Sequence, residues 1–236
     1  MSKNRGLQDK EVMIANTLTR SAQSLSLAEK RMIFAAIAKM GNNFGESGEV
    51  ILLATEYAET FEMPLNQAYE QLKDAADNLF DRYFTLTKTD RKGAMKWKVR
   101  WVESAGYDKG NGRVGIVFTQ TIKPYLCGLK AEFTKYRLKQ ACALRSIHAW
   151  RLLEQFERWE STGVYYTTVE EFHHVMESND SCRNNFAQLM RKVITPAMKE
   201  LSEKDGWLID FSYAKLGRKV NSLTFKFKKN PQGNLF

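Results

Sequence analysis

The sequence predicts an α+β chain built as two tandem winged-helix domains. Three observations predict it. A helix, a short strand, a short helix, a longer helix and a hairpin follow one another twice along the chain. The second of the longer helices, Arg183 to Leu201, joins an inward apolar stripe to an acid-free polar face. The formal net charge is +9, with 36 Lys and Arg against 27 Asp and Glu. Such a surplus calls for an anionic partner: DNA, RNA or an acidic membrane surface.

Composition narrows the class. At 236 residues and 43% hydrophobic, the chain can pack one large domain or two small ones, and wholesale disorder is excluded. No apolar run is long enough to span a bilayer. Met1 to Lys10 lacks the apolar core of a secretion signal, so a cytoplasmic protein is expected. Cys127, Cys142 and Cys182 are far apart and odd in number. They fit neither a disulfide framework nor a zinc site and are expected as reduced thiols.

Residues 1–20 are polar and read as an arm ahead of a first domain over 21–130. Ser26 and Glu29 have capping-box spacing, opening a helix to about Met40. Ile33, Ile37 and Met40 share one of its faces, and Gly41 is its stop. Val50–Leu53 reads as a strand and Thr55–Phe61 as a short helix. Pro64 suits the start of a longer helix to about Phe80. Tyr83–Thr87 and Lys96–Val102 read as strands about a turn at Lys88–Gly93, and Val114–Phe118 closes the domain.

The domain boundary is expected between Cys127 and Tyr136, with the second domain over 131–236. Ala141–Trp159 reads as a helix, Val164–Tyr166 as a strand and Thr168–Met176 as a short helix. After the long helix come strands Trp207–Tyr213 and Leu223–Lys228, paired around a tip at Gly217, Arg218 and Lys219. Leu223, Phe225 and Phe227 alternate with Thr224, Lys226 and Lys228, as a half-buried strand requires.

Phe186, Leu189, Met190, Val193, Ile194, Ala197, Met198 and Leu201 form the inward stripe of the long helix. Arg183, Asn184, Asn185, Ala187, Gln188, Arg191, Lys192 and Thr195 are left as candidate DNA contacts. Arginine can pair with guanine and Asn or Gln with adenine in the major groove, while Ala187 allows close approach to a thymine methyl. Pro196 is expected to kink the helix after this zone, because its ring removes a backbone donor. The tip residues Lys215, Arg218 and Lys219 should reach phosphates or the minor groove, or else solubilise the hairpin.

In the first domain Asn66, Gln67 and Lys73 are candidate DNA contacts, but Glu70, Asp74 and Asp77 beside them would repel phosphate. A structural or dimer-forming role fits that helix equally. The basic strand face of Lys96, Lys98 and Arg100 fits DNA or a protein interface. An enzyme is not expected. His173 and His174 are adjacent and cannot share a metal as an i, i+4 pair would, and no P-loop or G-x-S-x-G occurs. No cofactor is implied.

Several segments also occur in a telling order: Leu25-Ser26-Leu27 with Lys30-Arg31-Met32, and Pro124-Tyr125-Leu126 with Gly128-Leu129. Phe133-Thr134 and Arg137-Leu138 follow, then Ala149-Trp150-Arg151-Leu152-Leu153-Glu154. The last are Gly217-Arg218-Lys219 and Leu223-Thr224-Phe225-Lys226-Phe227. Together they resemble the initiator Rep proteins of iteron-containing bacterial plasmids, with Leu153 where an aromatic is common. The resemblance implies binding of double-stranded iterons at a plasmid origin, origin opening and helicase loading. It implies a host replication initiator and a replicative helicase as partners. It also implies a monomer–dimer equilibrium in which the dimer binds an operator inverted repeat and represses its own gene. The main reader would map onto Arg183 to Thr195, and the first domain would supply dimer contacts and auxiliary DNA contacts. The alternative is a winged-helix transcription regulator without initiator activity.

Overall fold

The computed structural model describes residues 6–41, 45 and 47–230, and all their side chains but those of 88–90. They form two compact units that divide between Cys142 and Ala143.

The first unit opens with β1 (Glu11–Ala15), α1 (Asn16–Thr19) and α2 (Leu27–Met40). Then come β2 (Glu49–Leu53), α3 (Ala54–Phe61) and α4 (Leu65–Leu79). Four strands follow: β3 (Tyr83–Asp90), β4 (Gly93–Arg100), β5 (Val102–Asp108) and β6 (Arg113–Phe118). The unit closes with β7 (Phe133–Arg137) and α5 (Lys139–Cys142). In the second unit α6 (Ile147–Arg158) precedes β8 (Val164–Thr168), α7 (Val169–Met176) and α8 (Asp180–Arg183). Then α9 (Phe186–Leu189), a π-helical turn Met190–Ile194 and α10 (Thr195–Asp205) run into one another. The unit ends with β9 (Trp207–Leu216) and β10 (Lys219–Lys229).

Both units are winged helices. Their three-stranded sheets share one order, β2-β6-β5 in the first and β8-β10-β9 in the second, all antiparallel. In each, a short helix and a long helix lie between the first strand and the wing. The first unit's wing is therefore β5 with β6. The hairpin of β3 and β4, expected from the sequence as that wing, is an addition between α4 and β5 that forms its own two-stranded sheet. Its turn is only Arg91 and Lys92, tighter than the expected Lys88–Gly93. Trp101 ends the hairpin by turning inward, 1% exposed, and its indole donates to Gln23 O at 3.3 Å.

Two expectations at the edges of the first unit are corrected. Residues 7–19 are not a free polar arm, and residues 1–5 lie outside the described ones. β1 pairs with β7 from Glu11↔Arg137 to Ala15↔Phe133, and Val12, Ile14 and Leu18 are buried. That pairing also draws 133–137 into the first unit, so the division falls after Cys142 rather than between Cys127 and Tyr136.

α2 starts at the expected capping box, in which Ser26 accepts from Glu29 N and Glu29 accepts from Ser26 N. It is buried along Glu29–Ala38 rather than on one face. Its charged residues Glu29, Lys30 and Arg31 are buried with partners. Lys30 Nζ donates to Gln23 Oε1 at 2.9 Å, Arg31 lies over the Phe61 ring, and Glu29 receives Arg82.

In the second unit the expected helix Ala141–Trp159 is two helices, α5 and α6. Ser146 is the reason: its hydroxyl accepts from His148 N and Ala149 N and so starts a new helix. From α6, the fully buried Phe156 ring meets Trp207, Phe225 and Phe227 at centroid distances of 5.5, 6.0 and 4.1 Å. Phe172 of α7 stacks on Phe225 at 5.8 Å. One aromatic cluster thus fixes the helices to the sheet that carries the wing.

Candidate nucleic-acid interface

The site is built outward from α7. Thr168 caps it in a capping box with Glu171, and it ends at Glu177 in the left-handed region, φ 48°. Two arginines hold the connection that follows. Arg151 of α6, 3% exposed, donates to Val175 O at 2.7 Å and pairs with Glu177. Arg183 of α8 donates to Ser178 O at 2.8 Å and to His173 O at 3.2 Å. Burial lowers the Arg151 pKa to about 10, still far above neutrality, so Arg151 keeps its charge beside Glu177.

The candidate reading helix begins later than expected. Asn185 breaks the chain after α8 and caps α9, its side-chain oxygen accepting from Ala187 N at 2.9 Å and Gln188 N at 3.3 Å. The expected single helix Arg183–Leu201 is therefore corrected to a helix from Phe186 to Asp205, stopped by Gly206 at φ 69°. Pro196 does not end it. The π-helical turn at 190–194 lies directly ahead of the proline, and the helix continues through it into α10.

The expected packing face is buried at five of its eight positions, while Phe186, Met190 and Met198 are half-buried. Leu189, Val193, Ile194, Ala197 and Leu201 are buried. Ala187, Arg191, Lys192 and Thr195 are exposed, with Gln188 half-buried among them. Arg191 Nη2 donates to Gln188 Oε1 at 2.9 Å, which sets these two exposed-face side chains side by side. Lys192 reaches Ser181 Oγ at 3.4 Å. Asn184 is exposed in the connection. Arg183 is exposed, and its guanidinium also donates to two carbonyls of the connection. Asn185 is a cap, and the Asn184-Asn185 pair was the sequence signal for that break.

The wing follows. β9 and β10 pair from Trp207↔Lys229 to Leu216↔Lys219, but β8 accompanies β10 only up to Ser222. The end of the hairpin therefore projects as a two-stranded ribbon. Lys215, Arg218 and Lys219 are all exposed at its tip. Tyr213 of β9 meets Phe186 edge-on at 5.0 Å, a contact between wing and reading helix that the sequence pattern had not revealed.

The first unit is charged differently. Asn66 and Gln67 are exposed at the start of α4. Lys73 is partly covered, 3.7 Å from Asp77 and 5.2 Å from the Tyr107 ring. Glu70, Asp74 and Asp77 are exposed on the same helix. On the added hairpin, Lys98 lies over Tyr83 and Arg100 over Phe80, with Lys96 exposed beside them. The other hairpin face leaves Met95 and Trp97 about half exposed. Among the described residues no group of three His, Cys, Asp or Glu could hold a metal ion, and no helix is long and apolar enough to cross a membrane.

His148 and His173 are held below the usual histidine pKa. Burial is the main cause for both; the charge of Arg151 adds to it at His148 and that of Arg183 at His173, against a Met176 backbone bond that favours the charged form of His148. Both take up a proton at lower pH in the fold than in the unfolded chain, whose histidines titrate near pH 6.5. Their contribution to stability is thus complete above about pH 6.5 and lost as pH falls through the lowered folded values. Thermal unfolding should come at a lower temperature at pH 5 than at pH 7, and His173→Gln should shrink that difference. An unchanged difference would remove His173 from the account.

A sequence family described as "Initiator Replication protein, WH1" matches residues 11–157, and "Initiator Rep protein, WH2" matches residues 168–227. The chain belongs to the initiator Rep protein family. This initiator Rep is similar to an uncharacterized 27.6 kDa protein of Escherichia coli, 26% identical over 238 residues that cover 94% of this chain and 96% of the relative. It is also similar to the PI protein of Escherichia coli, 24% identical over 90% of this chain and 80% of that one. Among solved structures, the Pi initiator protein in complex with iteron DNA shares the fold. The TM-score is 0.80 at 21% identity, covering 95% of this chain and 99% of the other. The fold and replication-initiator class expected from the sequence are thereby established.

Proposed function

We propose that this initiator Rep binds double-stranded iterons at a plasmid origin, with the second unit as its main base reader. One observation carries the reading. A capped helix, braced by two arginines, presents Ala187, Gln188, Arg191, Lys192 and Thr195 without an intervening acid and is followed by a basic wing. Arg191 and Gln188 read bases; Lys192, Lys215, Arg218 and Lys219 meet phosphates. Asn184 sits beside the helix start. Arg183, Asn185 and Arg151 keep the reader in place. Asn66, Gln67 and Lys73 give auxiliary contacts from the first unit, which also supplies dimer contacts. The protein acts without catalytic chemistry or a cofactor, in the cytoplasm. It opens the origin for a host replication initiator and a replicative helicase, and as a dimer it represses its own gene at an inverted repeat.

The deciding experiment is to supply the protein in trans to a plasmid carrying the DNA next to its gene as sole origin. Replication should depend on the protein. A footprint confined to an inverted repeat, with replication unaffected, would make it a transcription regulator instead. Within the interface, Arg191→Ala should weaken binding to the footprinted site by about 1–3 kcal/mol and relax the preference at one base pair. Lys219→Ala should weaken all sequences alike and reduce the salt slope by about 1. Titrations on specific and scrambled duplexes at several salt concentrations separate the two; equal losses on every sequence would refute the division of roles.

A further inference from the structure

We propose that Leu216 is a wedge that enters a base step of the bound duplex and partly unstacks it when the wing seats in the minor groove. The inference rests on the DNA-binding reading above and adds to it a distortion of the duplex at each site. Leu216 is 75% exposed, more than any other large apolar side chain among the described residues. A lone surface leucine needs no explanation in general. This one occupies the last cross-strand pair of the wing, directly opposite Lys219, with Lys215 before it and Arg218 in the turn. None of these cations makes an ion pair among the described residues. Packing that tip against an apolar protein surface would bury three unpaired charges, at high cost. A duplex solves both problems, since its phosphates take the cations and its base stack takes the leucine.

The support is stiff enough for the task. Gly217 at φ 61° provides the first residue of a two-residue turn, so the strands stay paired up to the wedge itself. A register shift between Val220 and Ser222 adds twist just below the tip. A minor groove about 6 Å wide excludes the ribbon but admits the side chains of its turn. Apolar wedges of this kind separate base steps and kink DNA, and the bent duplex then wraps more protein surface, which offsets the lost stacking. The Tyr213–Phe186 contact ties the ribbon to the reading helix. The unstacked step therefore falls at a fixed distance from the bases that helix reads.

The test uses the full chain and a 40-bp duplex cut from the region it protects beside its own gene, with 2-aminopurine replacing one adenine at a time. Wild type should brighten the probe severalfold at one step. Leu216→Ala should return that position to the emission of free duplex while the Kd rises less than tenfold. Lys219→Ala should keep the brightening and lose affinity. Equal brightening by wild type and Leu216→Ala would overturn the wedge, as would tight binding by wild type with no bright position. Failure of wild type to bind any duplex would instead overturn the DNA-binding reading and the wedge with it.

Discussion

Arg151→Ala should destabilise the second unit by about 3–5 kcal/mol, the usual cost of removing one partner from a buried ion pair. Arg151 is 3% exposed on α6, and its guanidinium is shared between Val175 O and the Glu177 carboxylate. Truncation removes the donor of the buried Val175 carbonyl and the cation beside the Glu177 carboxylate. The loss should also reach the DNA interface, because Glu177 opens the connection to the reading helix in a left-handed conformation. Denaturant unfolding of the full chain would measure the first effect. Binding at a temperature where the variant is still folded would measure the second. A variant within about 0.5 kcal/mol of wild type, the range of ordinary surface substitutions, would show that the pair is dispensable.

Phe156→Ala should cost a similar amount, about 3–5 kcal/mol, through the cavity it leaves. Its ring has no exposed surface and meets Trp207, Phe225 and Phe227. Those three residues lie on β9 and β10, so the cavity would open between α6 and the sheet that carries the wing. Phe156→Leu should restore much of the loss, since it refills part of the volume. If Phe156→Leu and Phe156→Ala unfolded at the same denaturant concentration, packing would not be the cause.

The second unit was the more legible of the two. Its stripe at helical spacing and its alternating last strand are strong periodic signals, and both are local. The first unit hides its main features in long-range pairing. β1 alternates Val12 and Ile14 against Glu11 and Met13, a strand pattern by itself, but its partner β7 lies some 120 residues on. Read without that partner, it looked like part of a polar arm. The added hairpin misled for another reason: Trp97 and Val99 alternate as a wing should, and only the pairing of β5 with β6 identifies the true wing. At the site, the wet face of the reading helix followed from periodicity. The role of Arg183 did not, because a guanidinium bound to two carbonyls and one facing DNA are the same letter. Several segments that carried the family resemblance are packing residues. Lys30, Arg31, Arg151 and Glu154 are buried, which ties them to the fold rather than to DNA.

The contrast between α4 and the helix from Phe186 has a directional consequence. Two copies of one fold in one chain could have read a palindrome between them. The acids Glu70, Asp74 and Asp77 make the copies unequal, so a bound molecule has a head and a tail. On the proposed tandem repeats, successive molecules would queue in one orientation, and molecules on the proposed inverted repeat would meet face to face. On that proposal, the heading of each repeat would become information that the protein could transmit to whatever assembles beside it.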